Sequence, residues 1–198
     1  MDTIFYRLGD ALYINITNQC PCACIFCIRN TTDTVGDAPT LWLKNEPTLE
    51  EIFAAFDARD DLQAVTEIVF CGYGEPLTRA EDVIKITQYI QSVCNIPIRI
   101  NTNGLVKLIH PSFDTTQLAM VDSLSISLNA HTPEEYLRLV RPKYGIDSYA
   151  SLLAFIKEAK NHTAITLSIM EDLSPEGITA CRKIAEDLGL PLRIRAYY

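Results

Sequence analysis

Three cysteines, Cys20, Cys24 and Cys27, lie in the stretch Asn18-Gln19-Cys20-Pro21-Cys22-Ala23-Cys24-Ile25-Phe26-Cys27 with the spacing C-x-x-x-C-x-x-C. Three thiolates this close on one loop can wrap a soft metal or an iron–sulfur cluster. A cubane cluster has four irons, so three cysteines leave one iron without a protein ligand. An open iron allows chemistry, where a closed cluster only stores electrons. With 7 cysteines in 198 residues, chance placement of this triad is on the order of 1%, so the spacing carries information. Cys22 adds a fourth thiol within the same run. Four thiolates suit tetrahedral zinc, and a zinc site built from Cys20, Cys22, Cys24 and Cys27 is the competing reading.

Polar groups recur downstream. In Phe70-Cys71-Gly72-Tyr73-Gly74-Glu75-Pro76, two glycines let the backbone approach a ligand closely, and Glu75 can accept from an ammonium group. Asn101-Thr102-Asn103-Gly104 combines a turn pair with amides able to bind hydroxyls, Asn103 ahead of Asn101. In Ser125-Ile126-Ser127-Leu128-Asn129, strand alternation puts Ser125, Ser127 and Asn129 on one face. Polar residues facing a barrel interior are costly unless they bind something. Arg138 and Arg141 offer guanidinium forks that match a carboxylate. Cys71, near the rim, reads as a small buried residue ahead of a substrate-side thiol, Cys94 and Cys181 read as core, and His110, His131 and His162 show no ligand spacing.

These residues need a scaffold, and the chain supplies alternating β-like and helix-like segments. The β-like runs are 12–16, 67–70, 96–101, 123–128, 164–170 and 192–196. Several are nearly continuous Ile, Val and Leu stretches, as expected for parallel strands buried on both faces. Helix starts are marked by Thr48-x-x-Glu51, Thr78-x-x-Glu81, Thr132-Pro133-Glu134-Glu135 and Ser174-Pro175. Apolar residues then recur at helical spacing, as in Val83, Ile86, Ile90 and Val93. The architecture implied is α/β, with the cysteines at the C-terminal ends of the strands, where barrel active sites sit. Residues 30–47 read as a long extended loop.

At 198 residues the chain fits a single domain spanning 1–198. Neither a long apolar run nor a basic N-terminal leader is present, so no membrane span or signal peptide is expected. Cysteines in such a chain point to a reducing, cytoplasmic setting. A net charge of −8 without a basic block weighs against nucleic acid and anionic membrane as partners.

The triad, with the aromatic Phe26 directly before its last cysteine, resembles the signature of the radical S-adenosylmethionine (SAM) superfamily. The resemblance runs from the triad to the last strand. It implies a single [4Fe-4S] cluster on Cys20, Cys24 and Cys27, with SAM chelated at the open iron. An external one-electron reductant of flavodoxin or ferredoxin type would then drive reductive cleavage to a 5′-deoxyadenosyl radical, which abstracts hydrogen from a substrate. The cofactor carries that chemistry and the protein orients it. A fourth thiolate would close the open iron, so Cys22 is a bystander in this reading. Gly72, Tyr73, Gly74 and Glu75 stand where the family has Gly-Gly-Glu-Pro against the SAM amino group, here spelled Gly-Tyr-Gly-Glu-Pro. Asn103, Ser127 and Asn129 fall to the SAM ribose and Arg141 to its carboxylate. The fold implied is a partial (β/α)6 barrel open on one side. Within the superfamily the chain looks most like the small TatD-associated radical SAM proteins, with glycyl-radical activases and deazaguanine-forming enzymes as alternatives. The substrate is unknown, and a partner protein could complete the open side.

Overall fold

In the computed structural model, which describes residues 2–196, the chain opens with a hairpin of β1 (Phe5–Leu8) and β2 (Ala11–Ile14). Its two-residue turn is Gly9-Asp10, and glycine supplies the positive φ of 60° that a tight hairpin turn needs. There follow α1 (Leu49–Asp57), β3 (Glu67–Phe70), α2 (Ala80–Val93), β4 (Ile98–Thr102) and the short α3 (Val106–Ile109). The second half holds β5 (Ser123–Ser127), α4 (Pro133–Val140), α5 (Asp147–Ala159), β6 (Ala164–Met170), α6 (Pro175–Leu188) and β7 (Leu192–Arg195).

All seven strands join one sheet in chain order, β1 to β7. The β1–β2 pair is antiparallel, and every later neighbour pair is parallel. The six parallel strands are the six expected from sequence, and the sheet stays open between β1 and β7. This is the partial barrel with an open side. Strand β1 is the element that sequence patterning did not deliver. It is four residues long, mostly half-buried, and joins by a hairpin with no helix to announce it.

One face of the sheet is apolar. Leu12, Ile14, Ile68, Phe70, Ile100, Leu124, Ile126 and Leu167 are fully buried in the core on which the helices pack. Helix α2 contributes Val83, Ile86 and Ile90, while Val93, its last residue, is 51% exposed because the helix ends there. The alternate strand residues face inward: Tyr13, Arg99, Asn101, Ser125, Ser127, Ser168 and Met170 line a cavity. A closed barrel fills its interior with branched apolar side chains. Here these strand positions carry mostly polar side chains.

Thr48 and Glu51 form a reciprocal capping box at α1, and Thr132 and Ser174 cap α4 and α6. The expected box at Thr78 does not form. Its hydroxyl donates to the Glu75 carbonyl oxygen at 2.8 Å, and α2 begins after a short 3-10 turn capped by Glu75. Proline at the first position of that turn leaves Glu75 as the residue able to cap it. Among the described residues, no helix is long and apolar enough to cross a membrane.

Candidate active site

The cysteine loop leaves β2 at its C-terminal end, on the rim expected for a barrel site. Backbone hydrogen bonds stitch it to the end of α4. Ala23 N–H donates to the Val140 carbonyl at 3.1 Å, Ile25 N–H to Leu139 at 3.0 Å, and Lys143 N–H to Pro21 at 2.8 Å. Cys22 sits at the centre of this seam, 5% exposed and bridged to Pro142. All four cysteines of the run line the cavity, whose volume is about 290 Å³.

The thiols are not equivalent. Cys20 is pulled down to about 6, chiefly by a hydrogen bond from Cys22 acting against burial, with the Cys22 N–H, Arg29 and Asn103 assisting. Cys22 is driven the other way, far above the ordinary thiol range, by its hydrogen bonds to Cys20 and Cys24 and then by burial. The contact between the two thiols thus pulls them in opposite directions. Asn103 also points its amide at this group, 3.6 Å from Cys22 Sγ and 3.9 Å from Cys20 Sγ.

Glu75 is 4% exposed beneath the rim. One carboxylate oxygen accepts from the Thr102 hydroxyl at 2.7 Å and the Leu77 N–H at 3.1 Å, and the other from the Asn103 N–H at 2.7 Å. Burial pushes its carboxyl up to about 7, and the neighbouring Cys20 adds to that, while the three donors oppose it. Its acceptors are thus taken by protein donors that lock β3's exit to β4's exit.

The glycines of this segment also answer to packing within the protein. A Cβ at Gly72 would lie 2.0 Å from Asn15 Oδ1, and one at Gly74 would lie 2.3 Å from the Thr17 carbonyl oxygen. They allow the β3 exit to press against the β2 exit, which carries the cysteines. Tyr73 turns its ring under the 31–47 loop, where its hydroxyl bonds the Thr32 carbonyl and its ring meets Trp42 edge-on at 5.0 Å. That loop is well tied down. Asn15 Nδ2 donates to Leu41 O at 2.8 Å, and Asn18 exchanges hydrogen bonds with the Leu43 backbone at 2.7 and 3.1 Å.

Phe26, Asn103, Ser127 and Asn129 all line the cavity, with Gly72, Tyr73, Gly74 and Glu75. Asn129 adopts a left-handed backbone, φ 57°, and is buried. Arg141 is elsewhere: it is exposed, left-handed at the end of α4, and absent from the cavity wall, and Arg138 is also exposed. Arg141 is bound into the turn that returns from α4, so its position in the chain does not carry its side chain to the cavity.

Three residue groups escaped the sequence reading, and a fourth residue, Cys71, takes the second of its two expected places. Arg99 lines the wall and pairs with Glu67 through two bonds of 3.0 and 2.7 Å. Arg193 and Arg195 reach the same cavity from β7, and their i, i+2 spacing was the legible signal. Cys71 faces the cavity instead of filling the core, and burial raises its thiol. Tyr136 on α4 is fully buried among the cysteines, and its hydroxyl has no hydrogen-bond partner among the described residues. No sequence signal separated that tyrosine from an ordinary core aromatic.

The donor set suits an iron–sulfur cluster and a polar ligand. Three thiols of the correct spacing, an unpaired hydroxyl beside them and a wall of serines and asparagines share one cavity. Zinc is the poorer fit. Among the described residues no three His, Cys, Asp or Glu side chains are gathered for a single metal ion. A cube of irons spreads its ligands wider than one ion does.

An open parallel β/α sheet with a cysteine loop at its C-terminal rim defines a half-barrel of the kind that seats a cofactor at the strand ends. The family model of the Radical SAM superfamily matches residues 14–181, and the chain belongs to that superfamily. Among curated proteins it is 30% identical over 138 residues to the GTP 3′,8-cyclase of Lactiplantibacillus plantarum, covering 68% of this chain and 38% of that protein. It is 25% identical over 184 residues to the dual-specificity RNA methyltransferase RlmN of Dichelobacter nodosus, covering 84% and 47%. The chain thus spans under half the length of these two relatives. Among solved structures it resembles TYW1 with a bound lysine-pyruvate adduct, with a TM-score of 0.64 at 15% identity over 96% of this chain and 65% of that one. It also resembles anSMEcpe with bound AdoMet, with a TM-score of 0.62 at 12% identity over 94% and 50%. These structural likenesses establish the fold.

Proposed function

We propose that the chain binds one [4Fe-4S] cluster through Cys20, Cys24 and Cys27 and uses it on SAM to start hydrogen abstraction from a substrate. When bound, cluster and SAM supply reductive cleavage of a C–S bond, giving a 5′-deoxyadenosyl radical. The chain's own residues do the rest. Cys22 remains a thiol beside the three ligands, Glu75 holds the β3 and β4 exits at fixed spacing, and Asn103, Ser127 and Asn129 offer amides and a hydroxyl to a ribose. Phe26 lines the cavity with the cysteines. The observation that carries this reading is the meeting of the triad and the polar strand residues in one cavity.

The electron comes from an external reductant of flavodoxin or ferredoxin type. The short barrel and the Gly-Tyr-Gly-Glu-Pro spelling support a place near the TatD-associated radical SAM proteins. Similarity to both a GTP cyclase and an RNA methyltransferase does not single out one substrate class.

Anaerobic reconstitution with iron and sulfide tests the proposal. Reduced protein with SAM releases 5′-deoxyadenosine. Cys24→Ala abolishes that release and Cys22→Ala largely spares it. Equal loss in both variants refutes the ligand assignment, and stoichiometric zinc without iron restores the zinc-module reading.

A further inference from the structure

The cavity wall inverts the charge of the chain. Acidic residues outnumber basic ones 25 to 17 overall. The wall carries Arg99, Arg193 and Arg195 against a single carboxylate, Glu75. Arg99 is committed to Glu67. Arg193 and Arg195 sit on β7, the edge strand beside the open side, at alternate positions that share its inner face. Register sets their height. Arg193 lies across from Ser168, which is paired with Ser127, and Arg195 lies across from Met170. Arg195 Nη2 is 3.5 Å from Asn129 Oδ1. The guanidinium of Arg193 has no hydrogen-bond or ion-pair partner among the described residues.

We propose that Arg193 and Arg195 bind the phosphate of a small phosphorylated substrate at the open side of the half-barrel, beside Ser127 and Asn129. The inference rests on the radical SAM reading for what happens next to that phosphate. Two guanidiniums separated by about 7 Å of strand rise match a dianionic group with three acceptor oxygens better than a singly charged carboxylate. A small ligand is favoured over a polynucleotide. The cationic groups line a cavity of about 290 Å³ in a chain of net charge −8, whereas a nucleic-acid backbone is gripped by many lysines and arginines spread over a surface.

Calorimetric titration of the 198-residue chain with inorganic pyrophosphate, before and after cluster reconstitution, tests this. Pyrophosphate binds, binding weakens with added salt, and malonate binds at least about tenfold more weakly. Arg193→Gln and Arg195→Gln each weaken pyrophosphate by about tenfold or more, whereas Arg182→Gln, on the exposed side of α6, leaves it unchanged. Absence of pyrophosphate binding in the parent chain overturns the proposal. So does malonate binding as tightly, a loss in the two variants confined to SAM, or a short RNA that outcompetes pyrophosphate through the same arginines. Should either variant fail to fold by circular dichroism, the parent chain's pyrophosphate, malonate and RNA arms still decide. Calorimetry needs no cluster, so lost pyrophosphate binding with intact SAM cleavage rejects the phosphate site alone. Lost SAM cleavage with intact pyrophosphate binding rejects the proposed function alone.

Discussion

The buried Glu75 carboxylate accepts the Asn103 N–H at 2.7 Å, which ties the exit of β3 to the exit of β4. Its own N–H donates to the Gln19 carbonyl at 2.8 Å, one residue before Cys20. A single residue thereby spaces three strand ends, including the one that carries the triad. Buried polar groups that are fully hydrogen-bonded specify one geometry, and here that geometry is the rim of the cavity.

Glu75→Gln replaces one acceptor oxygen by an amide donor facing N–H and O–H groups. The expected loss is about 1–3 kcal/mol of stability, read by urea unfolding of the metal-free chain. The pH profile changes as well. The Glu75 pKa is raised from 4.5 to about 7 by burial and Cys20, so the folded chain holds this proton where the unfolded chain has released it. Its contribution is full at low pH and is lost as pH rises through about 7. Glu75→Gln flattens that decline between about pH 5 and about pH 8.

Gly74→Ala puts a Cβ 2.3 Å from the Thr17 carbonyl oxygen and 2.7 Å from that of Gln19. Backbone cannot yield as a flexible side chain does, so the β2 and β3 exits must separate. The expected cost is about 2 kcal/mol or more. Iron incorporation falls with it, as measured by iron and sulfide content after reconstitution, because Cys20 follows Gln19.

Tyr136→Phe separates two states of the site. Without metal, it removes a buried hydroxyl that has no partner, so stability is unchanged or rises by up to about 1 kcal/mol. With the proposed cluster bound to the neighbouring cysteines, the hydroxyl would be available as a hydrogen-bond donor to it. Its removal lowers the cluster's reduction potential, since hydrogen bonds to the sulfurs help set that potential. A potentiometric titration followed by electron paramagnetic resonance reads the shift. An unchanged potential rejects the donor role.

Tyr73→Phe cuts the tie between the β3 exit and the Thr32 carbonyl. The 31–47 loop keeps its buried Ala38, Leu41 and Leu43, so the global cost is about 1 kcal/mol. Amide hydrogen exchange across residues 32–43 accelerates more than exchange in the core strands.

The six parallel strands, the caps at Thr48, Thr132 and Ser174, and the polar face of Ser125, Ser127 and Asn129 were legible in sequence. Each depends on local periodicity or on a residue three positions away. The hairpin strand β1 was not, because four half-buried residues without a following helix carry little pattern. The Thr78 cap was misread because local spacing cannot reveal that Glu75, held by Thr102 and Asn103 from another strand, already occupies the turn. Gly72 and Gly74 read in sequence as sites of close approach, and the fold adds a second reason for them, the packing of Asn15 and Thr17 against their α-carbons.

The chain alone determined its thiols and their spacing. Coordination chemistry depends on residue type and loop length, both written in 20–27, and strand alternation put the polar residues on a common face. Tertiary structure decided which of those groups meet. Packing of the cysteine loop on the end of α4 buried Cys22 and placed Tyr136 beside it. Sheet register set Arg193 and Arg195 level with Ser127 and Asn129, while the turn after α4 kept Arg141 out of the cavity. Such contacts join residues far apart in the chain, 66 positions for Arg195 and Asn129 and 81 for Asn103 and Cys22. No local pattern encodes them, because the order of strands and their stagger, not the neighbouring residues, bring them together.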